Sequence, residues 1–183
     1  MATFVALFRG INVGGHQKVR MSDLKALHES LGLKHVATYI QSGNVVFSSD
    51  NGDAEQLTRQ IEESFAQKFG FHVMVTIRTT SELGKIIARN PFTDQPTKAP
   101  KWVIVLFLAR QPASTAQDDL RNGYAGPEEL YLLGQELYIY YPENMGRTKL
   151  SNAYLDKTLK TPGTGRNWNT VLQLQSMMER VPQ

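Results

Sequence analysis

The sequence predicts an α+β protein built from two tandem, duplicated ferredoxin-like units, each with the order βαββαβ and an additional C-terminal helix. Three observations support this. Apolar segments of strand length alternate with segments of helical periodicity in the same order in both halves of the 183-residue chain. Gly43 and Gly134 mark two tight hairpin turns 91 residues apart. A polar, proline-containing segment separates the halves.

The first half is predicted to contain four strands and three helices. Its strands are ATFVALF, HVATYI, NVVFSS and HVMVTI, with a turn in QSGN between the second and the third. Leucines at helical spacing predict a first helix capped by Ser22. A capping box that begins at Asp53 predicts the second helix. The third helix is predicted to be capped by Ser81 and ended by the proline of NPF.

The second half is predicted to repeat this order. WVIVLFLA is a strand, residues 114–122 are a helix, and ELYLL and ELYIYY form a hairpin around GQ. A helix from about residue 149 to 160 and a short edge strand in TPGTGRN follow. The last helix begins at Asn167 or Asn169. We expect four of its apolar residues to face inward: Trp168, Val171, Leu172 and Met178.

Domain bounds follow from these elements. We expect a first unit with its helix at residues 1–92, a linker at 93–100 and a second unit with the C-terminal helix at 101–183. The linker is placed at TDQPTKAP because this segment is polar and contains two prolines. Residue identity between the halves is slight, so chance recurrence of a common element order stays open beside true duplication.

Composition excludes several kinds of site. The absence of cysteine rules out disulfides, thiolate catalysis and cysteine-based metal sites. The longest apolar run, Val103 to Ala109, is too short to cross a bilayer. We therefore expect an intracellular, cytoplasmic protein with no membrane contact. A net charge of +3 permits anion or nucleic-acid binding without requiring it.

No motif predicts a particular reaction. GINVGG begins like a Walker loop, but His16 and Gln17 stand where a lysine and a hydroxyl residue are needed. The glycines then either give the backbone a positive φ or form a nest of N–H groups for an anion. The histidines lack metal-ligand spacing, and QSGN lacks the elbow of a serine nucleophile. Catalytic residues, a metal and a cofactor are therefore not predicted, and the absence of a specific catalytic motif leans against an enzyme without deciding the question.

The predicted topology brings polar loops together. The first and third strands of such a unit are antiparallel neighbours, so the loop after the first strand lies beside the QSGN turn. In the second unit, the ends of the third and fourth strands share an edge. Both loop clusters are basic, and two cations of the second cluster precede a helix. The predicted ligand-binding residues are Arg9, Asn12, Gln41, Ser42, Asn44, Arg147, Lys149, Arg166, Asn167 and Asn169.

Aromatic residues on the central strands allow two interpretations. Phe4, Phe8 and Phe47 in the first unit, and Tyr138 and Tyr140 in the second, lie on strands that stack bases in RNA-recognition modules. The alternative is that these side chains pack the sheets. The K/R-G-F-x-F run of the RNA-recognition module is absent.

Five segments carry a family resemblance. ALFRGINVGG, TYIQSGNVVF, NPF, GRTKLSNA and TGRNWNTV, which span residues 6–171, resemble the bacterial family known as domain of unknown function 1697. The resemblance implies tandem ferredoxin-like units and no particular reaction. The segments place mainly polar residues on predicted loops, which suits a ligand site better than a scaffold.

The leading functional prediction is therefore a protein that binds a phosphate-bearing ligand, with nucleic acid as the first choice and a phosphorylated small molecule as the second. Arginine and lysine would meet the phosphates, and the asparagine and glutamine side chains would supply directional hydrogen bonds. Two alternatives stay open: an enzyme acting on a small anionic substrate at the same loops, and a structural module that dimerises. The oligomeric state is not predicted.

Overall fold

The computed structural model describes residues 1–143 and 145–182, with the backbone but not the side chain of Arg147. Its first seven elements are strand β1 (Ala2–Phe8), helix α1 (Met21–Ser30), β2 (Lys34–Tyr39), β3 (Asn44–Ser49), α2 (Ala54–Phe69), β4 (Val75–Thr79) and α3 (Thr80–Ala88). The strands and α-helices that follow are β5 (Val103–Leu108), α4 (Ala116–Gly123), β6 (Glu129–Leu133), β7 (Glu136–Tyr140), α5 (Asn152–Leu159), β8 (Gly163–Asn167) and α6 (Trp168–Glu179). The predicted α+β class is confirmed.

The strands form two four-stranded antiparallel sheets, in the orders β2-β3-β1-β4 and β6-β7-β5-β8. In each sheet the first strand of the half is central and pairs with two others. Val5 lies opposite Val46 on one side and Arg78 on the other. Val105 lies opposite Tyr138 and Arg166 in the same way.

Two compact units divide the chain. One contains residues 1–85 and residues from Gln173 onward, and the other contains residues 86–172. Segment 93–100, predicted as a linker, lies within the second unit, where Lys98 is hydrogen-bonded to Glu129. Its Nζ also lies 4.9 Å from the ring centre of Phe92. The predicted domain bounds stay a prediction.

One face of each sheet packs against the helices of its own unit. In the first unit, Phe4 and Phe8 are fully buried against apolar residues of α1 and α2 such as Leu24 and Phe65. Phe47 is equally buried and stacks on Phe4, with ring centres 5.6 Å apart. These phenylalanines are core residues, so they do not form a base-stacking platform.

The second unit uses its central strands in the same way. Leu106, Leu137 and Ile139 are buried against apolar residues of α4 and α5. Tyr138, on the opposite face of the sheet, is also fully buried, and its hydroxyl donates to the carbonyl oxygen of Ile86 at 2.6 Å. This tyrosine is therefore not available to stack on a base.

Several element ends differ from the predictions. Helix α1 begins at Met21 with Arg20 at the N-cap, so Ser22 is not the cap. Asp53 is confirmed as the cap of α2, since its carboxylate accepts the N–H groups of Glu55 and Gln56. In α6, Leu172 is 42% exposed and Leu174 is buried. The helical repeat of 3.6 residues places position 174, and not 172, on the buried face with Val171.

The hairpin turn at Gly43 approaches β1 too closely for a side chain. A Cβ at this position would lie 2.8 Å from Cβ of Phe8 and 2.6 Å from Cδ1 of Ile11. The backbone φ of +78° also favours glycine. At Gly134, the hairpin turn of the second sheet, φ is +67° but no atom lies within 4 Å of such a Cβ.

We expect Gly43→Ala to lower the free energy of unfolding by about 3 kcal/mol, about 1 from the left-handed backbone and the rest from overpacking against Phe8. Gly134→Ala is the matched control and should cost only about 1 kcal/mol, because its Cβ enters open space. Urea denaturation of both variants measures the difference. Equal losses would show that the close contact at Gly43 has no energetic importance.

His28 is a buried histidine in the first unit. Its Nδ1–H donates to the carbonyl oxygen of Leu24 at 2.8 Å, and its ring packs against Phe8 and Phe47. Among the described residues, its Nε2 has no hydrogen-bond partner. Burial lowers the pKa of His28 to about 4, against the opposing effect of the Leu24 hydrogen bond. The ring is therefore neutral at pH 7.

Stability should consequently fall as the pH drops from about 6.5 to about 4. The unfolded histidine binds a proton in this window and the folded one does not, so acid favours unfolding. The loss from this group should approach about 3 kcal/mol. In His28→Phe that part of the pH dependence should disappear, whereas it should persist in His72→Gln, a change at an exposed histidine. Chemical denaturation at a series of pH values tests this, and an unchanged slope in His28→Phe would contradict it.

Candidate functional site

Loops at one edge of the first sheet enclose a cleft of about 840 Å³. The residues that line it include Asn12, Lys18, Arg20, Ser22, Gln41 and Phe69, and we call it the loop cleft. The loop after β1 supplies the first three of these residues, the start of α1 the fourth, and the β2–β3 turn and the end of α2 the last two.

The two loops that topology brings together are in direct contact. The main-chain N–H of Phe8 donates to the carbonyl oxygen of Gly43 at 2.9 Å. The side-chain amide of Asn12 donates to the carbonyl oxygen of Gln41 at 2.8 Å. The predicted proximity of the loop after β1 and the QSGN turn is therefore confirmed.

Asn12 uses both ends of its side chain to hold the loop. Its Nδ2 donates to the carbonyl oxygens of Val19, at 2.9 Å, and Gln41, while its Oδ1 accepts the N–H of Val19 at 2.8 Å. Its φ of +56° is a left-handed conformation that asparagine tolerates better than most residues. These bonds close residues 12–19 into a loop and fasten that loop to the turn at Gln41.

The other residues of the first predicted cluster differ in exposure. Asn44 is fully buried and donates to the carbonyl oxygen of Tyr39 and to Ser42 Oγ, at 2.9 and 3.0 Å, so it shapes the turn. Gln41 is exposed in the cleft. Arg9 is half-buried at the end of β1, where its main-chain N–H donates to Met74. Their roles as ligand residues stay a prediction.

Positive charge gathers at the start of α1. Lys18 and Arg20 are exposed in the cleft, and Arg20 occupies the N-cap without a side-chain hydrogen bond to the helix. By helix geometry the N–H groups of Met21 and Ser22 have no acceptor within α1, whereas the N–H of Asp23 donates to the carbonyl oxygen of Arg20 at 3.1 Å. Lys68 adds a third cation, since its Nζ donates to the carbonyl oxygen of Asp23 at 3.1 Å. Asp23 is the acidic residue of the lining.

Lys68 and Phe69 were not predicted as site residues. Both lie in the last turn of α2. Lys68 is 45 residues along the chain from Asp23, to which it is hydrogen-bonded. In the sequence, Phe69 belongs to the apolar stripe of α2, and Lys68 is an ordinary surface lysine beside it. The packing of α2 against α1 brings Phe69 to the cleft and Lys68 beside it.

The second predicted cluster contains structural residues. Arg166 is buried in β8, where Nη1 donates to Thr164 Oγ1 at 2.7 Å and to the carbonyl oxygen of Gly165 at 2.9 Å. Burial lowers the pKa of Arg166 to about 10, so the guanidinium stays charged at pH 7. Asn167 donates to the carbonyl oxygen of Lys101 at 2.8 Å and accepts the N–H of Asn169 at the start of α6.

The remaining members of that cluster are Lys149 and Arg147. Lys149 is exposed and lines a separate cleft in the second unit. The side chain of Arg147 lies outside the described residues. Within the part of the chain that the structure describes, no group of three acidic, histidine or cysteine residues could hold a metal ion. Over the same residues, no helix has the length and apolar character required to span a membrane.

Asn12 provides a test of how this loop is built. We expect Asn12→Gly to destabilise the first unit by about 2 kcal/mol, because it removes three hydrogen bonds while keeping the left-handed backbone accessible. Asn12→Ala should cost about 1 kcal/mol more, since alanine also opposes the positive φ. Hydrogen exchange at the amide of Val19, the donor to Oδ1, measures local opening. Unchanged protection of this amide in both variants would mean that Asn12 does not hold the loop.

Comparison with known proteins supports the fold and the family. The solved structure of the conserved bacterial protein SP0830 from Streptococcus pneumoniae is similar to this chain, with a TM-score of 0.72 and 26% sequence identity. The similarity covers 97% of this chain and 98% of that protein. No curated protein matches the sequence. The model of the family described as "Protein of unknown function (DUF1697)" matches residues 1–138, and the chain therefore belongs to that family, as its sequence segments predicted.

Proposed function

We propose that this protein binds a phosphate-bearing ligand in the loop cleft, with nucleic acid as the leading class of ligand. The observation that carries the proposal is the start of α1, where the side chain of the N-cap residue, Arg20, makes no hydrogen bond to the helix N-terminus. The exposed side chains of Lys18 and Arg20 stand beside it in the cleft. Helix N-termini and basic side chains together favour anions.

The electrostatic balance of the cleft supports an anionic ligand. Lys18 and Arg20 line the cleft, and Lys68 lies beside it, bonded to the carbonyl oxygen of Asp23. Among the described lining residues, Asp23 carries the one carboxylate. The guanidinium of Arg20 is suited to two hydrogen bonds with one phosphate, and the lysines act as point charges. Ser22, exposed in the first turn of α1, adds a hydroxyl donor.

Two further groups favour a ligand that carries bases. Phe69 lines the cleft and is only partly buried, so an aromatic ring borders the basic residues. Bases of single-stranded nucleic acids stack on such rings with little sequence preference. The exposed side chain of Gln41 offers a donor and an acceptor for a base edge. A phosphorylated small molecule with a flat ring would be bound by the same groups.

For the architecture, we propose that each sheet with its helices is a ferredoxin-like unit and that the units arose by duplication. Corresponding register positions support this. Arg78 lies opposite Val5 in the first sheet, and Arg166 lies opposite Val105 in the second. Each arginine is buried and follows a buried threonine by two residues. A shared arginine at matched edge-strand positions favours duplication over chance repetition of element order.

Replacing both Lys18 and Arg20 by alanine tests the proposed site. At about 50 mM salt we expect a labelled single-stranded oligonucleotide to bind at least about tenfold more weakly, measured by fluorescence anisotropy. Two lost phosphate contacts should also reduce the slope of log affinity against log salt by about 1.5. Competition with inorganic phosphate and with a free nucleotide shows whether the base contributes to binding.

The matched control is Lys25→Ala with Arg59→Ala, which removes two exposed cations of the same unit that pair with Glu29 and Glu55 on their own helices. This control should lose little affinity. If the wild-type protein binds no oligonucleotide, nucleotide or phosphate at low salt, or if both double variants weaken binding equally, the loop cleft is not the phosphate site.

A further inference from the structure

A second cleft, of about 630 Å³, lies in the second unit where the end of α4 meets α5. Its lining includes two tyrosines, two glutamates and one lysine, and we call it the tyrosine cleft. These residues are Tyr124, Glu128, Glu143, Lys149 and Tyr154. The loop cleft shares none of these residues, so the inference below is independent of the function proposed above.

Glu128 is held in the cleft as a carboxylate. The hydroxyl of Tyr124 donates to its Oε2 at 2.5 Å, and the hydroxyl of Thr148 donates to its Oε1. Burial alone would raise the pKa of Glu128, but these two hydrogen bonds outweigh it and hold that pKa below its usual range. Each carboxylate oxygen keeps a further lone pair, so Glu128 can still accept a donor from a ligand.

Two aromatic rings form a corner beside this carboxylate. The ring centres of Tyr124 and Tyr154 are 5.7 Å apart, and the planes are inclined at 45°. The hydroxyl of Tyr154 is buried and, within the described residues, has no hydrogen-bond partner. A buried hydroxyl without a partner is unfavourable, and a ligand bearing a hydrogen-bonding group would offset this.

Two glycines allow the tyrosines to take these positions. A Cβ at Gly123 would lie 2.8 Å from the hydroxyl oxygen of Tyr154. A Cβ at Gly126 would lie 2.3 Å from Cζ of Tyr124. Any other residue at either position would displace a ring. The arrangement of rings and carboxylate therefore depends on the backbone at and just after the end of α4 as well as on the side chains.

We propose that the tyrosine cleft binds a small organic ammonium ion. Carboxylates outnumber cations among the described lining residues, which include two glutamates, Glu128 and Glu143, and one cation, Lys149. The side chain of Lys149 is exposed. A cation gains electrostatically from the faces of tyrosine rings and from charge-assisted hydrogen bonds to a carboxylate. An ammonium N–H also provides the donor that the oxygen of Tyr154 lacks.

The test is calorimetric titration of the full chain with two probes, putrescine and tetramethylammonium. Putrescine has ammonium N–H donors, whereas tetramethylammonium has neither an N–H nor an O–H group. Glu128→Gln should weaken binding of both probes by about tenfold, because it removes the charge and keeps the shape. Tyr154→Phe should weaken binding of putrescine by about tenfold and leave binding of tetramethylammonium unchanged, because only putrescine can donate to the hydroxyl that this substitution removes.

Glu63→Gln, the same substitution at an exposed glutamate of the first unit, is the control and should bind both probes normally. If a variant fails to fold, shifts of the Gly123 and Gly126 amide signals in the wild-type protein on addition of each probe still locate the binding. The proposal is overturned if neither probe binds at millimolar concentration or if Glu128→Gln leaves both affinities unchanged. It is also overturned if inorganic phosphate binds here and loses affinity in Lys149→Ala.

Discussion

The loop cleft depends on how closely the β2–β3 turn approaches the end of β1. Strand β1 is central, so at its end Phe8 pairs with the turn through Gly43 while the next residue, Arg9, pairs with Met74 just before β4. A side chain at Gly43 would meet Phe8, which is itself fixed in the core. The absence of that side chain allows Asn12 to reach the turn and close the loop. The position of the basic residues therefore follows from a backbone contact, and not from their own interactions.

The asparagine side chains show what the sequence can and cannot indicate about these loops. The sequence indicates that Asn12, Asn44 and Asn167 lie at the loop positions where they are found. Each of these side chains bonds to the main chain in place of a backbone group, because an amide carries the same donor and acceptor as the peptide unit. An amide that holds a loop and one that contacts a ligand have the same sequence pattern. Only the hydrogen-bond partners separate the two roles.

The elements themselves were largely predictable, because strand length, glycine turns and the Asp53 cap are local properties. Whether a polar side chain of an element is exposed or buried was less predictable. Arg166 is a basic residue in a polar segment, which suggests a surface position, yet it lies in β8 with its guanidinium bonded to Thr164. Phe69 lines the loop cleft, and Lys68 lies beside it on Asp23, only through the packing of α2. Such long-range placement has no sequence signal of its own.

The net charge of the chain, +3, does not indicate the local charge of either cleft. Lys18 and Arg20 line the loop cleft at a helix N-terminus, with Lys68 beside them, whereas the described lining of the tyrosine cleft contains two carboxylates and one lysine. Coulombic attraction acts over about 8 Å at physiological salt, so a ligand senses the lining of its own cleft far more than the total charge. A nearly balanced chain can therefore present one site for anions and another for cations. Glu128 is acidic and lies in the second unit, whereas Lys18 and Arg20 are basic and lie in the first. Substitutions can therefore change the charge of one cleft without changing that of the other.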